Sequence, residues 1–205
     1  MNVTELYYLT VAEVASLLRA KQISPVELTE LYLNRIGKLD HKLNSYLTVN
    51  YDEAIKSSKS AEDAVLRGDD LGPLHGLPIS IKDLELTKNI RTTSGSLVYK
   101  DRVPNEDSVV VERVRKAGAI ILGKTNTPEF ATGGNTYNEV FGATRNPWNT
   151  ELSAGGSTGG GGAGLISGMF PIASGSDLGG SLRIPAAFCG VMGLRPTPGL
   201  VPSGP

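Results

Sequence analysis

Glycine placement constrains this chain more than any other feature. The 205 residues include 25 glycines, concentrated between Gly155 and Gly168 and opening with Gly155-Gly156-Ser157-Thr158-Gly159-Gly160. A second dense stretch follows, Gly175-Ser176-Asp177-Leu178-Gly179-Gly180-Ser181-Leu182-Arg183-Ile184-Pro185. A glycine run of this kind is either a flexible linker or a helix that must approach a sheet closely. Interleaved Ala163, Leu165, Ile166 and Met169 supply an apolar helical face, which argues for a buried helix from about Gly159 to Met169. In both stretches a serine directly follows two glycines, at Ser157 and at Ser181. There the chain turns tightly and backbone N–H groups stand exposed, which is what an oxyanion needs.

Upstream, Gly76-Leu77-Pro78-Ile79-Ser80-Ile81-Lys82-Asp83 reads as an apolar strand carrying one lysine. A lysine in such a strand is costly to keep charged, so Lys82 is a candidate neutral base. Two serines and a lysine in these settings read as a serine hydrolase whose base is lysine. The composition agrees by exclusion. The two histidines are His41, in a polar helical stretch, and His75, in a turn before the strand. Neither is recommended as the base of a Ser-His-Asp triad. No His/Cys cluster has ligand spacing, so no metal is expected. The lone Cys189 excludes an internal disulfide and reads as a packed small hydrophobe.

A net charge of −1 gives no electrostatic footprint for nucleic acid. No apolar run approaches the ~20 residues of a membrane span, and Met1-Asn2-Val3-Thr4-Glu5 does not look like a signal peptide, so a cytoplasmic location is expected. Gly159, Gly161 and Gly164 match the G-x-G-x-x-G pattern of dinucleotide sites. That pattern needs a strand immediately before it, and Thr150-Glu151-Leu152-Ser153-Ala154 does not read as one. No cofactor is expected.

Residues 1–70 read as a helical N-terminal segment. Thr10 precedes an apolar stripe of Val11, Val14, Leu17 and Leu18, and Ser24-Pro25-Val26-Glu27 is a capping-box start. Tyr46-Leu47-Thr48-Val49 is a short strand candidate, followed by an amphipathic helix from about Asp52 to Leu66. From residue 71 to 205 strands and helices alternate. Pro78 to Leu84 is a strand apolar on both faces, Ser108 to Ala117 a helix ended by Gly118, Ala119 to Gly123 a buried strand, and Pro171 to Ser174 another. This predicts one α/β domain with a mixed sheet covered by helices on both faces.

The sequence resembles the amidase signature family of serine hydrolases, densely from Gly72 to Pro198. The resemblance rests on Gly72-Pro73-Leu74-His75-Gly76-Leu77-Pro78, Ile81-Lys82-Asp83, Gly123-Lys124-Thr125-Asn126, Phe141-Gly142-Ala143-Thr144-Arg145-Asn146-Pro147 and both serine stretches. It implies a catalytic triad of Lys82, Ser157 and Ser181, with a cis peptide bond at Gly156–Ser157. Ser181 would be the nucleophile, Ser157 a relay carrying its proton to Lys82, and the backbone amides of Leu178, Gly179, Gly180 and Ser181 the oxyanion donors. Thr158, Asp177 and Arg183 would support them through hydrogen bonds. The substrate would be a small-molecule amide, and a homodimer is left open.

Four departures qualify the resemblance. Thr158 replaces the family's commoner serine, and Leu178 replaces a frequent threonine or isoleucine. Ile184 stands where tRNA-dependent glutaminase subunits usually carry glutamine. Family domains also run to roughly twice this length, so an α/β core incomplete at its C-terminus is expected. The main expectation is an amide hydrolase. The alternatives are the glutaminase subunit of a tRNA-dependent amidotransferase and an inactive fragment serving as a structural or interaction module.

Overall fold

The computed structural model describes residues 3–202. Met1, Asn2 and residues 203–205, at the outer ends of the two expected segments, lie outside the described residues. In chain order the elements are helices α1 (Val3–Leu6), α2 (Val11–Arg19) and α3 (Pro25–Leu43), strand β1 (Tyr46–Val49), helix α4 (Tyr51–Arg67), strand β2 (Pro78–Lys82), helix α5 (Val109–Lys116) and strand β3 (Ile120–Thr125). Short strands β4 (Tyr137–Asn138), β5 (Gly142–Ala143), β6 (Arg145–Asn146) and β7 (Asn149–Ser153) follow. Helix α6 (Gly159–Ile166), strand β8 (Ile172–Ala173) and helix α7 (Arg183–Cys189) complete the order.

Local chemistry sets the helix starts. At α3 the Ser24 hydroxyl accepts from the Glu27 amide (3.1 Å), the Glu27 carboxylate accepts from the Ser24 amide (2.9 Å), and Pro25 occupies the first turn. Thr10 and Glu13 form the same reciprocal pair at α2. Ser108 caps α5, and Gly118, at φ +90°, lets the chain leave it.

The central sheet has the order β1-β3-β2-β8, with β2 parallel to both β3 and β8 and β1 antiparallel to β3. Side chains alternate across it. Ile120 and Leu122 pack on Val14, Leu18, Leu28 and Tyr32 from α2 and α3. Ile121, Ile79 and Ile81 meet Val111 of α5 on the other side. The mixed sheet covered on both faces is therefore present.

Strand β2 corrects one expectation. It is not apolar on both faces: Ile79 and Ile81 face α5, while Ser80 and Lys82 alternate to the opposite side, all buried. It also ends at Lys82, because the chain turns at Asp83, whose carbonyl accepts from the Ser94 amide at 2.9 Å.

The glycine run is a buried helix, as its apolar residues suggest. It stops at Ile166, short of Met169. Its closeness to the sheet explains its composition: a Cβ on Gly160 would lie 2.3 Å from the Asn126 nitrogen, and one on Gly164 would lie 2.2 Å from the Phe170 ring. The stretch before it is corrected. Asn149–Ser153 is a strand, β7, held by antiparallel pairing with β6 and largely exposed. Its hairpin partner, absent from the local pattern, makes it a strand. It enters no βαβ unit, so the G-x-G-x-x-G match lacks the setting of a dinucleotide site.

Two glycines should respond in opposite senses to alanine. Gly160→Ala meets unyielding backbone and is expected to destabilise by about 1–3 kcal/mol. Gly37→Ala, on the exposed side of α3 with nothing within 4 Å of its Cβ, should stabilise by roughly 0.5–1 kcal/mol. Urea midpoints of the two variants, compared with the parent, check both.

Candidate active site

Lys82 is the last residue of β2, at the end of the parallel strands where open α/β sheets place their ligands. Its side chain is fully buried. The Nζ donates to three hydroxyls: Ser157 Oγ at 2.7 Å, Ser176 Oγ at 2.9 Å and Thr158 Oγ1 at 3.1 Å. Burial pulls its pKa down to about 7, against the opposing pull of the Glu85 and Asp177 charges. Ser157 follows a cis peptide bond from Gly156. It is not the cap of α6: Thr158 holds that position, without a side-chain capping bond, so the Ser157 hydroxyl is directed to the lysine instead.

The second glycine stretch joins the first through the backbone, where the Thr158 amide donates to the Ser181 carbonyl at 3.1 Å. Ser181 is half-buried. The turn carrying it is organised by Asp177, whose carboxylate accepts from the amides of Gly180 (2.8 Å), Leu182 (3.1 Å) and Arg183 (3.3 Å). The Arg183 guanidinium adds two further bonds, at 3.0 and 2.9 Å. Arg183 and these amides hold the Asp177 carboxyl far below the usual carboxylate range. Thr158 thus bonds the lysine, and Asp177 and Arg183 bond each other within the turn. The Gly180 amide, expected to face an oxyanion, is engaged by Asp177 in this structure. Leu178 and Gly179 are exposed.

Two residues of this constellation escaped sequence reasoning. Ser176 reaches Lys82, and its position just before Asp177 in the second glycine stretch was the available signal. Arg195 reaches Asp177 from beyond α7, with no local pattern to announce it. The groups set aside stay apart: His41 is exposed on α3 and His75 bonds the Ala61 carbonyl. Cys189 is buried, its thiol pushed up to about 11 by burial. Among the described residues no group of three or more His, Cys, Asp or Glu could hold a metal ion, and no helix is long and apolar enough to cross a membrane.

The site is thus a buried lysine bonded to three hydroxyls beside two glycine-rich turns, and comparison with known proteins gives the family. The amidase family model matches residues 27–205, and the chain belongs to that family, the amidase signature enzymes. It is 45% identical over 197 residues to the A subunit of the glutamyl-tRNA(Gln) amidotransferase of Carboxydothermus hydrogenoformans, a match covering 96% of this chain and 41% of the relative. The Moorella thermoacetica counterpart is 46% identical, with 96% and 40% covered. Among solved structures, the peptide amidase of Stenotrophomonas maltophilia superposes with a TM-score of 0.87 at 33% identity, over 95% of this chain and 41% of that one. An inhibitor-bound vestigial protein complex, tied to the origins of an s-triazine catabolic enzyme, gives 0.89 at 36%, over 92% and 42%. The chain spans about 40% of the length of the curated relatives it matches, and covers part of the fold seen in these structures.

Burial of Lys82 has a consequence for stability. An unfolded lysine keeps its proton to about pH 10.4, whereas the folded one releases it near 7. Between those values the unfolded chain binds more protons, so stability should climb as pH rises from about 7 to about 10. Lys124, also buried and pulled down to about 7, acts in the same direction. Lys82→Met should flatten part of this slope, as measured by urea unfolding at pH 7 and pH 9.5. An unchanged slope would contradict a Lys82 that is neutral in the fold.

Proposed function

We propose that this protein cleaves amide bonds through an acyl-enzyme on Ser181, with Ser157 as proton relay and Lys82 as base. The observation that carries the reading is the buried Lys82 Nζ, 2.7 Å from Ser157 Oγ, in a setting that disfavours its charge. In the forward step Lys82 takes the Ser157 proton as Ser157 takes that of Ser181. The Ser181 oxygen then attacks the amide carbon. With Gly180 held by Asp177, the amides of Leu178, Gly179 and Ser181 are the donors proposed for the oxyanion. Collapse expels the amine, which receives a proton from Lys82 through Ser157, and water then releases the acyl group. Asp177 and Arg183 keep the turn in shape.

The glutamyl-tRNA(Gln) amidotransferase relatives favour glutamine as the amide, with ammonia as the product and protein subunits as partners. That glutaminase reading leads. Ile184, in place of the usual glutamine, favours a second one, hydrolysis of another small amide, as the peptide amidase neighbour would suggest. A cytoplasmic setting suits both.

A fluorophosphonate probe separates these from an inert module: label is expected on Ser181, and label on Ser157, on Cys189 or nowhere would sink the assignment. Ammonia release from glutamine, measured beside a panel of aryl and alkyl amides, decides between the two substrates. Activity should rise with pH through about 7 as Lys82 becomes neutral. Lys82→Arg, a permanent cation, and Ser157→Ala should each lose about 10²–10⁴-fold, read as kcat/KM.

A further inference from the structure

The turn between β8 and α7, which carries Ser181, is irregular chain, and its contacts fall into two sets. One faces the lysine: the Lys82 amide donates to Ser174 Oγ (3.0 Å), Nζ donates to Ser176 Oγ, and the Thr158 amide donates to the Ser181 carbonyl. The other is the Asp177 hub. Its side chain is inaccessible to solvent, yet most of its partners, Gly180, Leu182 and Arg183, belong to the same turn. Such bonds fix the internal shape of the turn. They do not fix where the turn sits relative to Lys82.

Arg195 differs in kind. It comes from the extended segment after α7, and its Nε donates to the Asp177 main-chain carbonyl at 3.0 Å while lying 3.5 Å from Asp177 Oδ1. Its single Nε–H therefore holds the backbone of Asp177, while the guanidinium charge lies beside the carboxylate of the same residue. Its own segment is braced close by. The Val191 amide donates to the Ala186 carbonyl at 3.0 Å, and Gly193 runs so near α7 that a Cβ there would lie 2.7 Å from the Ala186 methyl. Pro196, next in sequence, has its φ restricted.

We infer that Arg195 is a positioning residue: it clamps the nucleophile turn from outside, through Asp177, and so holds Ser181 in register with Ser157 and Lys82. The inference rests on the amide-cleaving reading for its catalytic consequence, because small misplacements of a nucleophile cost much of the rate. The clamp itself does not depend on that reading. A lysine at 195 would keep the charge but has no donor at the Nε position and no planar guanidinium to fix its direction, so it should rescue only in part.

The test compares the protein with Arg195→Ala and Arg195→Lys. Hydrogen exchange of peptides covering residues 177–183 is followed beside the β2–β3 core, together with the second-order rate of fluorophosphonate labelling at Ser181. In Arg195→Ala, exchange in 177–183 should accelerate about tenfold or more while the core is unchanged, and labelling should slow by about tenfold or more. Arg195→Lys should fall between the two. Exchange and labelling within twofold of the parent would overturn the clamp. If the parent does not label at Ser181, the amide-cleaving reading fails, and the exchange measurement still decides the clamp. Should the alanine variant fail to fold, Arg195→Gln, which keeps the stem and removes the charge, carries the same test.

Discussion

The structure turns on one buried amine. Taking an ammonium out of water costs several kcal/mol unless it is paired, and among the described residues no carboxylate bonds to Lys82 Nζ; its partners are three hydroxyls. The nearby acids are committed elsewhere. Asp177 is bound by Arg183, Arg195 and three amides. Asp83, although adjacent in sequence, alternates to the other face and accepts from the Thr93 amide and hydroxyl. With these carboxylates engaged elsewhere, none pairs directly with Lys82, and burial lowers its pKa more than the Glu85 and Asp177 charges raise it.

Such an arrangement needs backbone brought unusually close, which is the purpose of the glycines. α6 must lie against the end of the sheet for Ser157 to meet a side chain from β2. Gly160 allows this by approaching the Asn126 backbone, and its carbonyl accepts from Ser45 Oγ at 2.7 Å. Gly175 does the same for the second stretch, passing so near Thr158 that a Cβ would lie 2.5 Å from Leu182 and 2.7 Å from the Thr158 methyl. Gly155 and Gly162 in turn lie against Pro185, so the two motifs pack against each other as well as against the sheet.

That close packing also decides what a reader of the sequence can recover. Ser24 with Glu27, Ser108 and Gly118 act through neighbours a few residues away, so the helix boundaries they set are legible. Lys82, Ser157 and Ser181 stand out because each sits in an unusual local composition. β7 does not, since its pairing with β6 depends on a hairpin partner and its exposed residues carry no alternation to read. Ser176 and Arg195 are hidden for a related reason. A serine or an arginine acquires its meaning from a group many residues distant, Lys82 in one case and Asp177 in the other. The Gly180 amide is the subtlest case: the motif announces a donor, and only the folded turn reveals that Asp177 accepts from it.

Burial alone does not set Lys82 apart, because β3 carries a second lysine in the same condition. Lys124 is paired in register with Ile81, is fully buried, and is likewise pulled down to about 7. Its surroundings separate it from Lys82. Lys124 Nζ donates to the Glu85 carbonyl and to Thr87 Oγ1, tying down the turn that follows β2. A carbonyl can only accept, and the Thr87 hydroxyl already directs its proton to the Glu85 carbonyl at 3.0 Å. Nothing there offers the amine a proton to exchange. Ser157, by contrast, is a hydroxyl that can accept from the lysine or donate to it, and it stands beside the turn that carries Ser181. Two lysines with the same shifted titration therefore differ in what they can do: Lys124 anchors a turn, and Lys82 can move a proton.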